Sequence, residues 1–160
     1  MSNSIPLREA KPEDAPVLSK LAMHSKAYWG YSDEFMEACR EELTTTPEKI
    51  RDSAFHFVVA EISQKIVGFY GVERLSLQQF ELEALFVDPL HIGSGIGRAL
   101  MTHAKHYIAA YCGNTLLIQG DPNAEGFYRA VGAQYIGDRE SASIPGRLLP
   151  VFSISIAKSA

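Results

Sequence analysis

The segment that most restricts this chain is HIGSGIGR, residues 91–98, set between the apolar run FELEALFV (80–87) and a helical pattern. Pro89 cannot continue a strand ladder, so the apolar run ends before it. Leu100, Met101, Ala104, Tyr107, Ile108 and Tyr111 then recur at the spacing of one helix face. Between the two, Gly93, Gly95 and Gly97 lack a Cβ, which admits positive φ and lets a ligand approach the backbone closely. Successive N–H groups in such a turn converge on one concavity, and the following helix adds its positive end. The ligand matched to it is a phosphate or pyrophosphate. Two common phosphate loops fit poorly. GxxxxGK[ST] requires a Lys-Ser or Lys-Thr that does not follow these glycines. The dinucleotide fingerprint GxGxxG differs from the GxGxG found here, and no acidic residue lies between Asp88 and Asp121.

Around this segment the hydrophobic pattern alternates between strand and helix periods. Ile5 and Leu7 open a first strand. Pro12, Glu13 and Asp14 suit a helix start, and Leu18, Leu21, Ala22 and Ser25 continue that helix. Tyr28, Trp29, Gly30 and Tyr31 interrupt it. Ser32 or Asp33 caps a second helix whose apolar stripe is Phe35, Met36, Cys39 and Leu43. Thr46-Pro47 reads as a cap followed by Pro at the first helical position. FHFVVAEI (55–62) and KIVGFYGVE (65–73) form an antiparallel hairpin turning at Ser63-Gln64. TLLIQ (115–119) is a short buried strand, and 123–131 a helix closed by Gly132. AQYIGDR (133–139) and LLPVFSISIA (148–157) complete a sheet of about seven strands. The order β-α-α-β-β-β-α-β-α-β-β predicts a mixed α/β (α+β) fold with a mostly antiparallel sheet and about four helices.

A length of 160 residues accommodates one such domain, expected over 1–160, and not two. Fifteen Lys and Arg against nineteen Asp and Glu leave a net charge of −4, which argues against nucleic acid or an anionic membrane as partner. No apolar run reaches the roughly 18 residues of a membrane span. The opening MSNSIPLREAKPED lacks the basic and apolar regions of a signal peptide. Cys39 and Cys112 form neither a disulfide framework nor a Cys-based metal site, and both are read as buried or inert. A reduced, cytoplasmic protein is expected. His24, His56, His103 and His106 show no metal-ligand spacing, so no metal is expected, and His91 reads as a loop-surface histidine.

Residues 82–101, LEALFVDPLHIGSGIGRALM, resemble motif A of the GNAT N-acetyltransferase superfamily, a strand, a V-x-P turn and Q/R-x-x-G-x-G/A opening a helix. Val87, Pro89, Gly93, Gly95, Gly97, Arg98 and Leu100 fit, while Ile92 stands where the family usually has Gln or Arg. Residues 123–133, NAEGFYRAVGA, resemble its motif B, with Ala133 in place of a frequent Phe. Two motifs about 30 residues apart are far more specific than one glycine loop. The resemblance implies a GNAT-like sheet with strands 4 and 5 splayed apart and acetyl-CoA as donor to a primary amine. It also implies a possible homodimer, since family members are often dimers.

By resemblance, Ile92, Gly93, Ser94, Gly95, Ile96, Gly97 and Arg98 hold the coenzyme A pyrophosphate through backbone amides. Leu85, Phe86 and Val87 hydrogen-bond the pantetheine arm as an added strand would, and one of their amides polarises the thioester carbonyl. Asn123 binds the pantetheine or its water, beside Phe127. Tyr128 matches the motif B tyrosine and is the candidate acid for the departing thiolate, since a phenol with pKa about 10 stays protonated at neutral pH. A lysine-like amine has a pKa of about 10.4, so a proton acceptor is useful. Glu81 and Glu83 lie two apart on one strand face and are the candidate bases; a solvated strand face explains them equally. Tyr28, Trp29, Tyr31 and Phe35 form an aromatic cluster in the segment that walls the acceptor site in this family. Packing in the core or at a dimer contact accounts for them as well. Arg147 pairs with an acidic group of the acceptor or is an ordinary loop arginine. The expected acceptor is a small-molecule amine, with a protein amine or a non-catalytic coenzyme A sensor as alternatives.

Overall fold

The computed structural model describes residues 5–157, so the ends of the expected 1–160 unit lie outside the described residues. Seven strands make one sheet: β1 (Leu7–Glu9), β2 (Phe55–Ile62), β3 (Lys65–Arg74), β4 (Gln79–Val87), β5 (Thr115–Gln119), β6 (Gln134–Glu140) and β7 (Leu148–Ser155). Their spatial order is β1-β2-β3-β4-β5-β7-β6. Every neighbouring pair is antiparallel except β4 and β5. The helices are α1 (Ala15–Ala27), α2 (Asp33–Leu43), the one-turn α3 (Pro47–Arg51), α4 (Ile96–Ala110) and α5 (Glu125–Ala130).

The central strands are buried on both faces, which is why FHFVVAEI and KIVGFYGVE read as continuous apolar runs. One face packs against α4 and α5 through Tyr70, Leu100, Ile108 and Phe152. The other packs against α1 and α2 through Leu18, Met36, Phe57 and Phe69. Each such side chain contributes roughly 1.5–3 kcal/mol when fully buried. The local signals behave as expected. Ser32 caps α2 by accepting from the Phe35 N–H at 3.1 Å, and Thr46 caps α3 by accepting from the Lys49 N–H at 3.1 Å.

The parallel pair is short. β4 and β5 are in register only at Gln79–Thr115, Phe80–Leu116 and Glu81–Leu117, although both strands run on. β4 then follows β3, and β5 follows β7 as far as Gln119–Val151. A β-bulge lies at the parting. Gly71 faces Ala84 and Val72 faces Leu82, so Glu83 is an extra residue on β4. A bulge bends its strand and steepens the twist. It also exchanges the faces: Phe80 and Leu82 point to the α4 side, whereas Ala84 and Phe86 point to the α1–α2 side.

Candidate active site

The parted strands open a cavity of about 570 Å³. Its floor is β4 over residues 82–87, and the exit of β5 at Gln119, Gly120 and Asp121 forms the opposite wall. Beyond Glu81 no strand among the described residues pairs with that edge of β4, so its backbone groups there are free for an extended ligand. Leu85, Phe86 and Val87 all line it.

The glycine turn closes one end. Asp88 starts it by accepting from the Leu90 N–H at 2.9 Å. The His91 carbonyl then accepts from the Ser94 N–H at 3.2 Å and from the Ser94 hydroxyl. Gly93 and Gly95 have φ of +84° and +87°, conformations that side-chain-bearing residues rarely adopt. Gly95 is the N-cap of α4 and supplies no side-chain acceptor, so the first N–H groups of the helix face the cavity end unpaired. Ile92, Gly93, Gly95, Ile96, Gly97 and Arg98 line the cavity, while Ser94 turns its hydroxyl back into the loop. His91 is not the loop-surface residue expected. It is half-buried in the cavity wall, with a buried Nδ1 that has no partner among the described residues.

Tyr128, Phe127 and Asn123 stand on the β5 side of the cavity. Tyr128 is buried, and its hydroxyl makes no hydrogen bond among the described residues although it is not sealed from solvent. Burial, and secondly the charge of Asp121, push its pKa well above the usual phenol value. Gly120 sets the ring position: a Cβ there would stand 2.7 Å from Tyr128 Cε2. Asn123 donates its Nδ2 to Asp121 at 2.9 Å.

The two candidate bases occupy different places. Glu83 lines the cavity and pairs with Lys49 of α3 at 2.7 Å. Glu81 stands outside the lining and pairs with Arg139 of β6 at 3.4 Å. Both lie near Glu73, whose pKa is raised by burial and then by Glu83 and Glu81.

The expected aromatic cluster divides into two pairs. Tyr28 meets Trp29 edge-on at 5.6 Å, and Tyr31 stacks on Phe35 at 4.2 Å. Only Trp29 of the four lines the cavity. Arg147 lies over Phe35 at 4.8 Å and donates to the Tyr31 hydroxyl at 2.9 Å, so both Tyr31 and Arg147 are engaged within the protein behind the wall. Cys39 is buried, but Cys112 is exposed just past α4, with φ of +65°, contrary to the buried reading. Among the described residues no group of three or more His, Cys, Asp or Glu could hold a metal ion. No helix among them is long and apolar enough to cross a membrane.

Among the lining residues that escaped the sequence reading are Lys26, Glu42, Gly120 and Asp121. Of these four, Asp121 carried a local signal. In Asp121-Pro122-Asn123 it caps a turn that has Pro in its first position, accepting from the Asn123 N–H at 2.9 Å.

Residues 15–142 match the family model described as Acetyltransferase (GNAT) domain. Over 87 residues the chain is 30% identical to the N-alpha-acetyltransferase RimI of Mycobacterium tuberculosis, covering 52% of this chain and 55% of that protein. The chain thus spans about half the length of the curated relative it matches. The PaiA N-acetyltransferase from Thermoplasma acidophilum, solved in complex with coenzyme A, shares the fold with a TM-score of 0.78 at 20% identity, covering 95% of this chain and 99% of that one. The aminoglycoside 6'-N-acetyltransferase from Enterococcus faecium gives 0.69 at 17% identity, covering 98% and 99%.

Proposed function

The chain belongs to the GNAT acetyltransferase family, and from that premise we propose that it transfers the acetyl group of acetyl-CoA to a primary amine by direct attack in a ternary complex. The acceptor is a small-molecule amine. The observation that carries the reading is the meeting, on one cavity, of an unpaired β4 edge, a glycine turn at a helix N-terminus and the free hydroxyl of Tyr128.

Acetyl-CoA supplies an activated thioester and a pyrophosphate by which it is held. The residues present fit it. The turn at 92–98 offers the free N–H groups at the start of α4 to the pyrophosphate, while those of Ile92 and Ser94 are taken by the Pro89 and His91 carbonyls. The free edge at Leu85, Phe86 and Val87 receives the pantetheine as an added strand, and an N–H of that edge polarises the thioester carbonyl. Asn123 and Phe127 border the same arm. Tyr128 gives its proton to the departing sulfur. Glu83, rather than Glu81, accepts the proton of the amine, because it is the one that lines the cavity. Trp29 walls the acceptor end, where Glu42 is a lining carboxylate with no cationic partner among the described residues and favours a cation.

The 30% identity to an N-alpha-acetyltransferase favours a second acceptor class, a peptide α-amine. Thiol release from acetyl-CoA, measured against diamines, aminoglycosides and peptides with free α-amino groups, separates the two. Turnover of small amines and not of peptides supports the first reading, and the reverse supports the second. Saturable coenzyme A binding with no turnover on any acceptor returns a non-catalytic coenzyme A module and defeats both.

A further inference from the structure

One carboxylate on the cavity wall gathers side chains from four segments, and the Tyr31 hydroxyl lies against both of its oxygens, 3.0 Å from Oδ1 and 2.8 Å from Oδ2. Asp121 Oδ1 accepts from the backbone N–H and the Nδ2 of Asn123, both at 2.9 Å. Oδ2 accepts from the Tyr31 hydroxyl at 2.8 Å and from Lys26 Nζ at 3.2 Å, with Arg147 at 3.8 Å. The Tyr31 oxygen in turn accepts from Arg147 at 2.9 Å and from Asn123 Nδ2 at 3.0 Å. Lys26 and Arg147 both lie over the stacked Tyr31 and Phe35 rings. Burial opposes the charge on Asp121, but the Asn123, Tyr31 and Lys26 contacts outweigh it and hold the pKa below the usual carboxylate value.

One oxygen therefore faces the segment that leads to Tyr128. The other faces the end of α1 and the β6–β7 loop, and Tyr31 of the α1–α2 connection bridges the two. We propose that Asp121 is a positioning residue, a clasp that joins the acceptor wall to the segment bearing Asn123 and Tyr128 so that both sides of the cavity hold one geometry. Two cations on one carboxylate cannot stay in place without it, because they would face each other unpaired. The wall they anchor carries Trp29, which lines the acceptor end. The effect on turnover rests on the acetyl-transfer reading above; the clasp itself does not.

Asp121→Asn separates the two halves. An amide oxygen toward Asn123 preserves the capped turn, while the NH₂ toward Lys26 and Arg147 removes their counter-charge. Trp29 is the only tryptophan in the chain, so its fluorescence reports the wall directly. In Asp121→Asn, acrylamide quenching of Trp29 rises about twofold. The KM for the acceptor rises about tenfold, with the Kd for acetyl-CoA within about twofold of wild type, since misplacing a positioning wall costs that order of rate or affinity. Tyr31→Phe moves both readouts in the same direction by less, and its effect is not additive with Asp121→Asn because the two share one network. Unchanged quenching and unchanged acceptor KM in a folded Asp121→Asn overturn the clasp, as does strict additivity of the two variants. If Asp121→Asn does not fold, Tyr31→Phe decides by the same readouts. If the wild type acetylates no amine, the acetyl-transfer reading falls and the quenching comparison alone judges the clasp.

Discussion

Tyr128 concentrates the chemistry at the scale of a single residue. A phenol in water titrates near pH 10, but burial and Asp121 move this one upward. A raised pKa keeps the proton on the oxygen through neutral and mildly alkaline pH, which is the state a proton donor needs. The hydroxyl has no protein partner among the described residues, so deleting it strands no buried group. Tyr128→Phe is accordingly expected to lower kcat by about a hundredfold, within the usual range for loss of a general acid. The melting temperature and the Kd for acetyl-CoA stay close to wild type, and wild-type kcat shows no alkaline limb from this group up to about pH 9. Steady-state kinetics from pH 6 to 9.5 on both proteins check this; an unchanged kcat makes Tyr128 a packing residue beside Phe127.

At the scale of elements, the hairpin between β2 and β3 turns on an unusual pair. Ser63 and Gln64 have φ of +51° and +67° and close directly on the Ile62–Lys65 pair. Positive φ at both central residues suits a two-residue hairpin, and Asn-Gly is the pair that adopts it most readily. A residue with a Cβ in the left-handed region costs roughly 1–2 kcal/mol. Ser63→Asn with Gln64→Gly should therefore stabilise the protein by about 1 kcal/mol, since the flexibility Gly adds to the unfolded chain offsets part of the gain. A rise in melting temperature of about 2–4 °C would register it, and no rise would show that the strained turn is compensated elsewhere. The turn's position was legible because two apolar runs of β-forming residues flank it. Likewise β5 at Thr115–Gln119 and the Ser32 and Thr46 caps rest on neighbours within a few residues. The bulge at Glu83 was not legible, because the alternation of FELEA passes into the all-apolar ALFV without a turn residue and the extra residue exists only relative to the register of β3.

Across the whole molecule, the relations that sequence leaves unread are those between distant segments. The glycine turn and the motif around Tyr128 were legible because each is local. Asp121 meets Tyr31 and Arg147 only when the β5 exit, the α1–α2 connection and the β6–β7 loop come together. The same holds for a histidine cluster on the sheet face that carries α4. His56 of β2 stacks on Tyr107 of α4 at 3.7 Å, and His103 Nδ1 meets the buried Tyr70 hydroxyl at 2.8 Å. Both pKa values are lowered. Burial dominates in each; Glu9 partly opposes it at His56, where His103 adds to it, and His106 adds to it at His103. Both rings are therefore neutral in the fold, while the unfolded chain takes up their protons near pH 6.5. Between the folded and unfolded pKa values the unfolded state binds more protons, so stability is complete above about pH 6.5 and is lost as pH falls below it. Asp14 and Asp121, held below their usual values, add their own loss only near pH 4 and lower. Glu73, raised by burial and then by Glu83 and Glu81, acts in the opposite sense, favouring the fold as pH falls through the carboxylate range. The melting temperature of the wild type should be level from pH 8 to 7 and fall by a few degrees by pH 5.5, before the carboxylates contribute. The double variant His56→Gln with His103→Gln, which leaves the Tyr70 hydroxyl a polar partner, should start lower and stay level across that window. Calorimetry from pH 8 to 5 distinguishes this from a carboxylate origin, in which both proteins would hold level until near pH 4.5 and then fall in parallel.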